Sequence, residues 1–334
     1  MTEPTQTVGN YEFLGVVDKP KAGVTYKVRN LTTGEFEVLR TLPGAAYGDP
    51  ESLERFLREI KVHTRLSHPN IVAFHDALEL DGHLVMTAEF VDGASVAQLC
   101  RRGSMASADA IRVVCDVLSG LEEAHALGIV HRGITAEHVI VTHDGEGKLG
   151  GFGLAKPASD MNLTQAGAVL GDARYISPEQ VMGTGSLDGR ADLYSVGVLL
   201  FHALTGREPF DGGNDFDIMM AQVSKQPPRP SSLNPGIPPE LDRIVLTALA
   251  KRPEERFPSA GDFRNALASL TAAASVPAPA LPANEPRPVP AMAETSGPRL
   301  FAQAEPSGFN RKAFLLSAIG IAIVLIALYF AMTH

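Results

Sequence analysis

Near the C-terminus lies a run of about 19 residues without a charge, Phe314 to Met332, interrupted only by Ser317, Gly320 and Tyr329. At a helical rise of 1.5 Å per residue, such a run just crosses a hydrocarbon core of about 30 Å. Its apolar residues lie on every face, which favours lipid over the alternative of a buried core helix. Arg311 and Lys312 stand immediately before it, and positive flanks stay cytoplasmic. The expectation is a membrane helix over 313–332, a single C-terminal anchor with the rest of the chain in the cytoplasm. Before it, residues 272–310 are rich in proline and alanine, as in Val276-Pro277-Ala278-Pro279 and Pro286-Arg287-Pro288-Val289-Pro290. Such a stretch cannot bury a core and tends to the extended polyproline form, so a disordered linker is expected, with a reach on the order of 100 Å. The material that can fold is thereby confined to about the first 270 residues.

That part is apolar enough for a core: 45% of the 334 residues are hydrophobic. A net charge of −9 gives no basic surface for nucleic acid, and none is expected as a partner. Cys100 and Cys115 are too few for a disulfide framework or a zinc site, and both sit in apolar helical pattern as core thiols. Met1 to Asn10 is polar, with no apolar run for a signal peptide, and reads as a disordered N-terminus. Short alternating runs at Tyr11–Val17, Thr25–Asn30 and Glu35–Leu42 predict an antiparallel meander. Pro50 to Leu66 predicts a helix, with Asp49 as N-cap, Pro50 in the first turn and Leu53, Phe56, Leu57, Ile60 and Leu66 on one face. Strand-like runs return at Ile71–Leu80 and His83–Phe90. Helical patterns then follow at Ser107–Leu127, Gly189–Thr205, Phe216–Lys225, Pro239–Leu249 and Ser259–Thr271. The fold class is α+β: a small β-rich lobe over 11–91 with one helix, then a larger helical lobe over 92–271.

Seven motifs run in order through that region. They are Arg58-Glu59, His68-Pro69-Asn70-Ile71-Val72, His131-Arg132, Phe152-Gly153 and Ser177-Pro178-Glu179, then Asp192-Leu193-Tyr194-Ser195-Val196-Gly197 with Arg252-Pro253-Glu254-Glu255-Arg256-Phe257 behind it. Together they resemble the bacterial members of the eukaryotic-type serine/threonine protein kinase family over Tyr11 to about Leu270. The resemblance implies a bilobal protein-kinase-like fold and, for the anchor, a bacterial inner membrane. It also implies roles for residues that hold the fold. Glu179 and Arg256 match a buried ion pair, Asp192 matches the residue that holds the catalytic-loop backbone, and His131 and Phe152 match packing positions.

The chain departs from the family pattern where the chemistry sits. The family places an aspartate base at Gly133, a lysine at Thr135, a metal-binding asparagine at His138 and a metal-binding aspartate at Gly151. No catalytic residue of that set is intact. Glycine neither accepts a proton nor orients a hydroxyl, and magnesium takes oxygen ligands rather than imidazole, so His138 reads as a satisfied loop histidine. Arg40 stands at the strand lysine and can pair with Glu59 as structural support. The phosphate loop reads Asp18-Lys19-Pro20-Lys21-Ala22-Gly23 and keeps only Gly23. Arg40, Glu59 and Gly23 are the remaining nucleotide-contact candidates. Thr164, in the segment matching the activation loop, is a candidate phosphosite for which Arg132 is a partner.

Losses that cluster on the reaction, with the braces kept, imply a membrane-tethered pseudokinase. It would serve as a protein-binding regulatory module in serine/threonine kinase signalling, docked on an active kinase or its substrate. No cofactor is expected, with ATP bound weakly at most, no magnesium and no other metal. Two alternatives stay open: an unconventional ATP-dependent serine/threonine kinase using Glu137, Asp144 or Glu146, and a non-catalytic nucleotide sensor.

Overall fold

A computed structural model describes residues 6–18, 24–42, 50–157, 172–183 and 187–274. Gly23, Thr164, most of the linker and the apolar run 313–332 lie outside the described residues. The chain divides after Ser275, and every described residue belongs to the part before that point. The architecture is the expected one, a β-rich lobe followed by a helical lobe.

Six strands build the first lobe: β1 (Gln6–Val8), β2 (Tyr11–Asp18), β3 (Val24–Asn30), β4 (Phe36–Thr41), β5 (Phe74–Leu80) and β6 (His83–Glu89). They form one antiparallel sheet in the order β1-β2-β3-β4-β6-β5. Helix α1 (Pro50–His63) packs on it through Phe56, with Leu53, Leu57 and Ile60 beside Leu42, Leu84 and Met86. Strand β1 departs from the expected disordered 1–10: Val8 pairs with Tyr11 across a tight turn at Gly9. The run Ile71–Leu80 is divided between lobes, and only Phe74 onward joins the sheet. Val72 N–H donates to the Leu149 carbonyl at 2.9 Å and Asn70 Nδ2 to the Gly147 carbonyl at 3.0 Å. The hydrophobic run is thus continuous in sequence while its backbone changes partners.

The second lobe begins with β7 (Gly93–Ser95) and α2 (Val96–Cys100). Ser95 and Gln98 form a capping box there, each side chain bonding the other's backbone N–H. The long helix α3 (Ser107–Ala126) follows, then β8 (Ile129–Val130), β9 (Val139–Thr142), β10 (Gly147–Leu149) and β11 (Lys156–Pro157). Helices α4 (Pro178–Met182), α5 (Gly189–Thr205), α6 (Asp215–Ser224), α7 (Pro239–Ala248) and α8 (Ala260–Ala274) complete it. Helix α8 runs past the expected domain end at 271. Helix α5 starts where Asp188 accepts from the Arg190 N–H and stops at Gly206, whose φ of 76° is left-handed. Residues 191–204 of α5 are all buried, so it is enclosed rather than amphipathic. Around it pack α3, α7 and α8, with Val117, Leu118, Leu121, Leu241, Val245, Phe263 and Leu267 in one core. Burying each such aliphatic side chain stabilises by about 1.5–3 kcal/mol. Cys100 is buried and Cys115 packs on the same core, and burial pushes both thiols up to about 11.

Glu179 and Arg256 brace this lobe. The pair is bidentate, 2.7 Å on each arm, with both residues buried. Arg256 also donates to the carbonyls of Arg190, Ala250 and Lys251 at 2.8–3.0 Å, so no guanidinium nitrogen is left without an acceptor. Removing one partner strands the other charge in the core. Arg256→Met is expected to lower unfolding free energy by about 3–5 kcal/mol in urea titrations. The double replacement Glu179→Leu with Arg256→Met should recover most of that loss.

Candidate functional site

Directly after β8 the backbone turns at His131, Arg132 and Gly133, and Asp192 on α5 holds the turn from below. The Asp192 carboxylate, 1% exposed, accepts from the N–H groups of His131 at 2.9 Å and Arg132 at 2.8 Å, and pairs with His125 Nε2 at 2.8 Å. Burial works to raise its pKa, but the His125 contact and the two N–H donors outweigh it and hold the carboxyl below the usual range. Arg132 has φ of +64°, a left-handed conformation that a non-glycine residue adopts at a cost of about 1–3 kcal/mol. The cost is offset on both sides of the residue, since Gln180 Nε2 donates to the Arg132 carbonyl at 3.0 Å.

His131 is fully buried, and its ring uses both nitrogens. Nε2 donates to the Gly150 carbonyl at 2.9 Å, and Nδ1 accepts from the Gly133 N–H at 3.2 Å. A carbonyl only accepts and an N–H only donates, so this pattern fits one neutral tautomer and excludes imidazolium. Burial pushes the His131 pKa down to about 4. Phe152 lies against it, ring centroids 4.4 Å apart, in the 3₁₀ turn Phe152–Leu154. Before that turn, Gly151 has φ of +79°. His138 closes the loop, its Nδ1 2.6 Å from the Gly133 carbonyl.

The third component comes from the small lobe. Arg40 on β4 and Glu59 on α1 form a two-armed pair at 2.8 and 2.5 Å, the planar fork matching the carboxylate. Helix α1 packs on the 152–154 turn, which brings this pair to the side of the cleft where Phe152 sits. One turn after Glu59, His63 stacks edge-on against Phe152 at 5.2 Å. It is buried, and neither ring nitrogen has a hydrogen-bond partner. His63 continues the Phe56–Ile60 stripe of α1 in the sequence, and together with Glu59 it is a polar residue of that helix buried on the inward face.

The structure therefore brings together Arg40, Glu59, His131, Arg132, Gly133, His138, Gly151, Phe152 and Asp192. Thr135 is buried in the same loop, its carbonyl accepting from the His138 N–H. Glu179 and Arg256 lie in the helical lobe as its brace. Of the substitute carboxylates, Glu137 turns to Ser95 Oγ at 3.2 Å and to Arg101 at 3.4 Å, while Asp144 and Glu146 are exposed in the β9–β10 turn. Among the described residues no three His, Cys, Asp or Glu side chains converge as metal ligands. At positions 138 and 151 the chain offers an imidazole and a bare backbone, which do not match magnesium's preference for oxygen donors.

Residues 11–267 match the protein kinase domain family model. The chain is 37% identical over 273 residues to a probable serine/threonine-protein kinase of Streptomyces coelicolor, covering 79% of this chain and 40% of that protein. It is 36% identical over 253 residues to the serine/threonine-protein kinase PknJ of Mycobacterium tuberculosis, covering 74% and 43%. The chain thus spans less than half the length of either relative. The crystal structure of the M. tuberculosis PknI kinase domain superposes with a TM-score of 0.64 at 27% identity, covering 81% of this chain and 100% of that one. These relatives correct one expectation. No cofactor was expected, and no magnesium, yet the family to which the matches point works with ATP and magnesium. The expectation failed because it inferred a missing ligand from missing contacts at four positions.

Burial also holds the His63 pKa down, with Glu59 opposing and Arg40 reinforcing. A histidine depressed below about 6.5 stabilises the fold fully above that pH and loses its contribution as pH falls toward the folded value. For His131 the loss reaches about 2 kcal/mol by pH 5. Urea midpoints should therefore fall between pH 7 and pH 5. His63→Leu should raise stability at pH 7 by about 1 kcal/mol or more, by removing a buried unpaired polar ring, and should make the acid loss shallower.

Proposed function

The chain belongs to the protein kinase family, and from that premise we propose that it works as a membrane-tethered pseudokinase, a regulatory member that binds proteins without phosphorylating them. One observation carries the reading. The parts that shape the cleft are present as formed interactions: the Asp192 clamp, the His131–Phe152 stack, the Arg40–Glu59 pair and the Glu179–Arg256 brace. The position that faces a substrate hydroxyl carries no side chain.

ATP with magnesium, when bound in this family, supplies the γ-phosphoryl group, and an attacking hydroxyl must give up its proton to a base. Gly133 has only backbone to offer. Its N–H donates to His131 and its carbonyl accepts from His138, so both groups are already engaged. What the chain's residues do is hold a kinase-shaped surface rigid, and that surface is what a partner would read. The family acts on protein substrates, so the partner is a protein, either an active kinase or its substrate. The tether rests on the uncharged run Phe314–Met332 with Arg311 and Lys312 before it.

A second reading, an unconventional serine/threonine kinase, draws support from the relatives, which are named as kinases. Full-length protein, ATP with magnesium and a general protein substrate separate the two. The expected rate is at least ~10²-fold below that of an active bacterial relative, the usual contribution of a general base. A rate within tenfold of that relative would overturn the regulatory reading. In cell fractionation the full chain should sediment with membranes, and deletion of 313–332 should release it.

A further inference from the structure

The three replacements around the loop are packed against one another. A Cβ placed on Gly151 would lie 2.5 Å from His138 Cγ, 2.6 Å from Cδ2 and 2.8 Å from Nδ1. Real side chains do not approach that closely, and the obstacle is the face of a ring rather than the far end of a flexible chain. The ring is itself held in place. Its Nδ1 must donate to the Gly133 carbonyl, which can only accept, and the His138 backbone bonds Thr135 on one side and Gly150 on the other. Gly133 is a different case. A Cβ there would meet Leu154 Cδ1 at 3.1 Å, and a leucine end can give way by a few tenths of an ångström.

We propose that His138 is a positioning residue whose ring takes the side-chain space of position 151 and ties it to Gly133, so that residues 133, 138 and 151 form one interlocked unit. Leucine at 154 lets a side chain return to position 133 alone. Position 151 accepts one only after the ring at 138 has gone. The left-handed backbone at Gly151 adds strain for any side chain, though aspartate tolerates that region better than most residues. This inference rests on the regulatory reading only in taking the site as one that has lost its carboxylates.

The test is thermal melting of the full chain as four variants: Gly133→Asp, Gly151→Asp, His138→Asn/Gly151→Asp and His138→Phe/Gly151→Asp. Gly133→Asp should melt close to wild type. Gly151→Asp should lower the melting temperature by about 4 °C or more. Asparagine at 138 should restore most of that loss, whereas phenylalanine, which keeps the ring volume, should not. Backbone strain at 151 is common to the three variants that carry aspartate there, so the difference between asparagine and phenylalanine reports the ring alone. If Gly151→Asp fails to fold, recovery of a cooperative transition in the asparagine double variant supports the proposal in the same way. Gly151→Asp melting like wild type, or equal melting of the two double variants, would overturn it. Phosphotransfer by the same variants tests the regulatory reading and not this one, so the two can fail separately.

Discussion

A single buried carboxylate organises the cleft. Asp192 rises from α5 and gathers two backbone N–H groups and one imidazole around itself. Such a charge is expensive in a core unless every oxygen is used, and here both oxygens are. The turn it grips contains a residue in a left-handed conformation, so the loop would not keep its shape alone. His131 follows from the same arrangement, since its ring is fixed by Gly150 above and Gly133 beside it, and Phe152 stacks on that ring. Remove the carboxylate and the loop, the ring stack and the 152–154 turn lose their common reference.

The two ion pairs play different parts. Glu179 and Arg256 are enclosed and saturated with hydrogen bonds, and their geometry ties α4 to the segment before α8. Arg40 and Glu59 cross from sheet to helix within the small lobe, with Arg40 partly open to the cleft. Arginine satisfies the carboxylate with both terminal nitrogens, where lysine would present a single point charge. The small lobe therefore keeps α1 registered on the sheet by a rigid fork.

Much of this was legible in the chain. Helix α5 could be read end to end because its signals are local: Asp188 caps one end and Gly206 the other. The face of α1 followed from the spacing of Leu53, Phe56, Leu57 and Ile60, and the bilobal order followed from the motif series. The turn at Asp144–Glu146 between β9 and β10 was legible, but the short strands β7, β8 and β11, two or three residues each, were not, since alternation needs more length than they have. Nor was the division of Ile71–Leu80 between two lobes, because hydrophobicity does not say which backbone a strand will meet. Within the site, the identity of the replaced residues was plain, but where the His138 ring would point was not. That direction is set by the Gly133 carbonyl five residues away, a contact that pattern does not encode.

Helix α5 has no solvent face, and this bears on how the molecule breathes. An amide in an amphipathic helix can exchange its hydrogen when one side frays; an amide in an enclosed helix must wait until its neighbours move away. The amides of residues 191–204 are enclosed on every side and lack that local route. Because Asp192 sits in the first turn of that enclosed element, the loop at 131–133 is moored to a part of the lobe without a solvent face. Fluctuations at the cleft rim can come and go, while the shape of the loop beneath it persists.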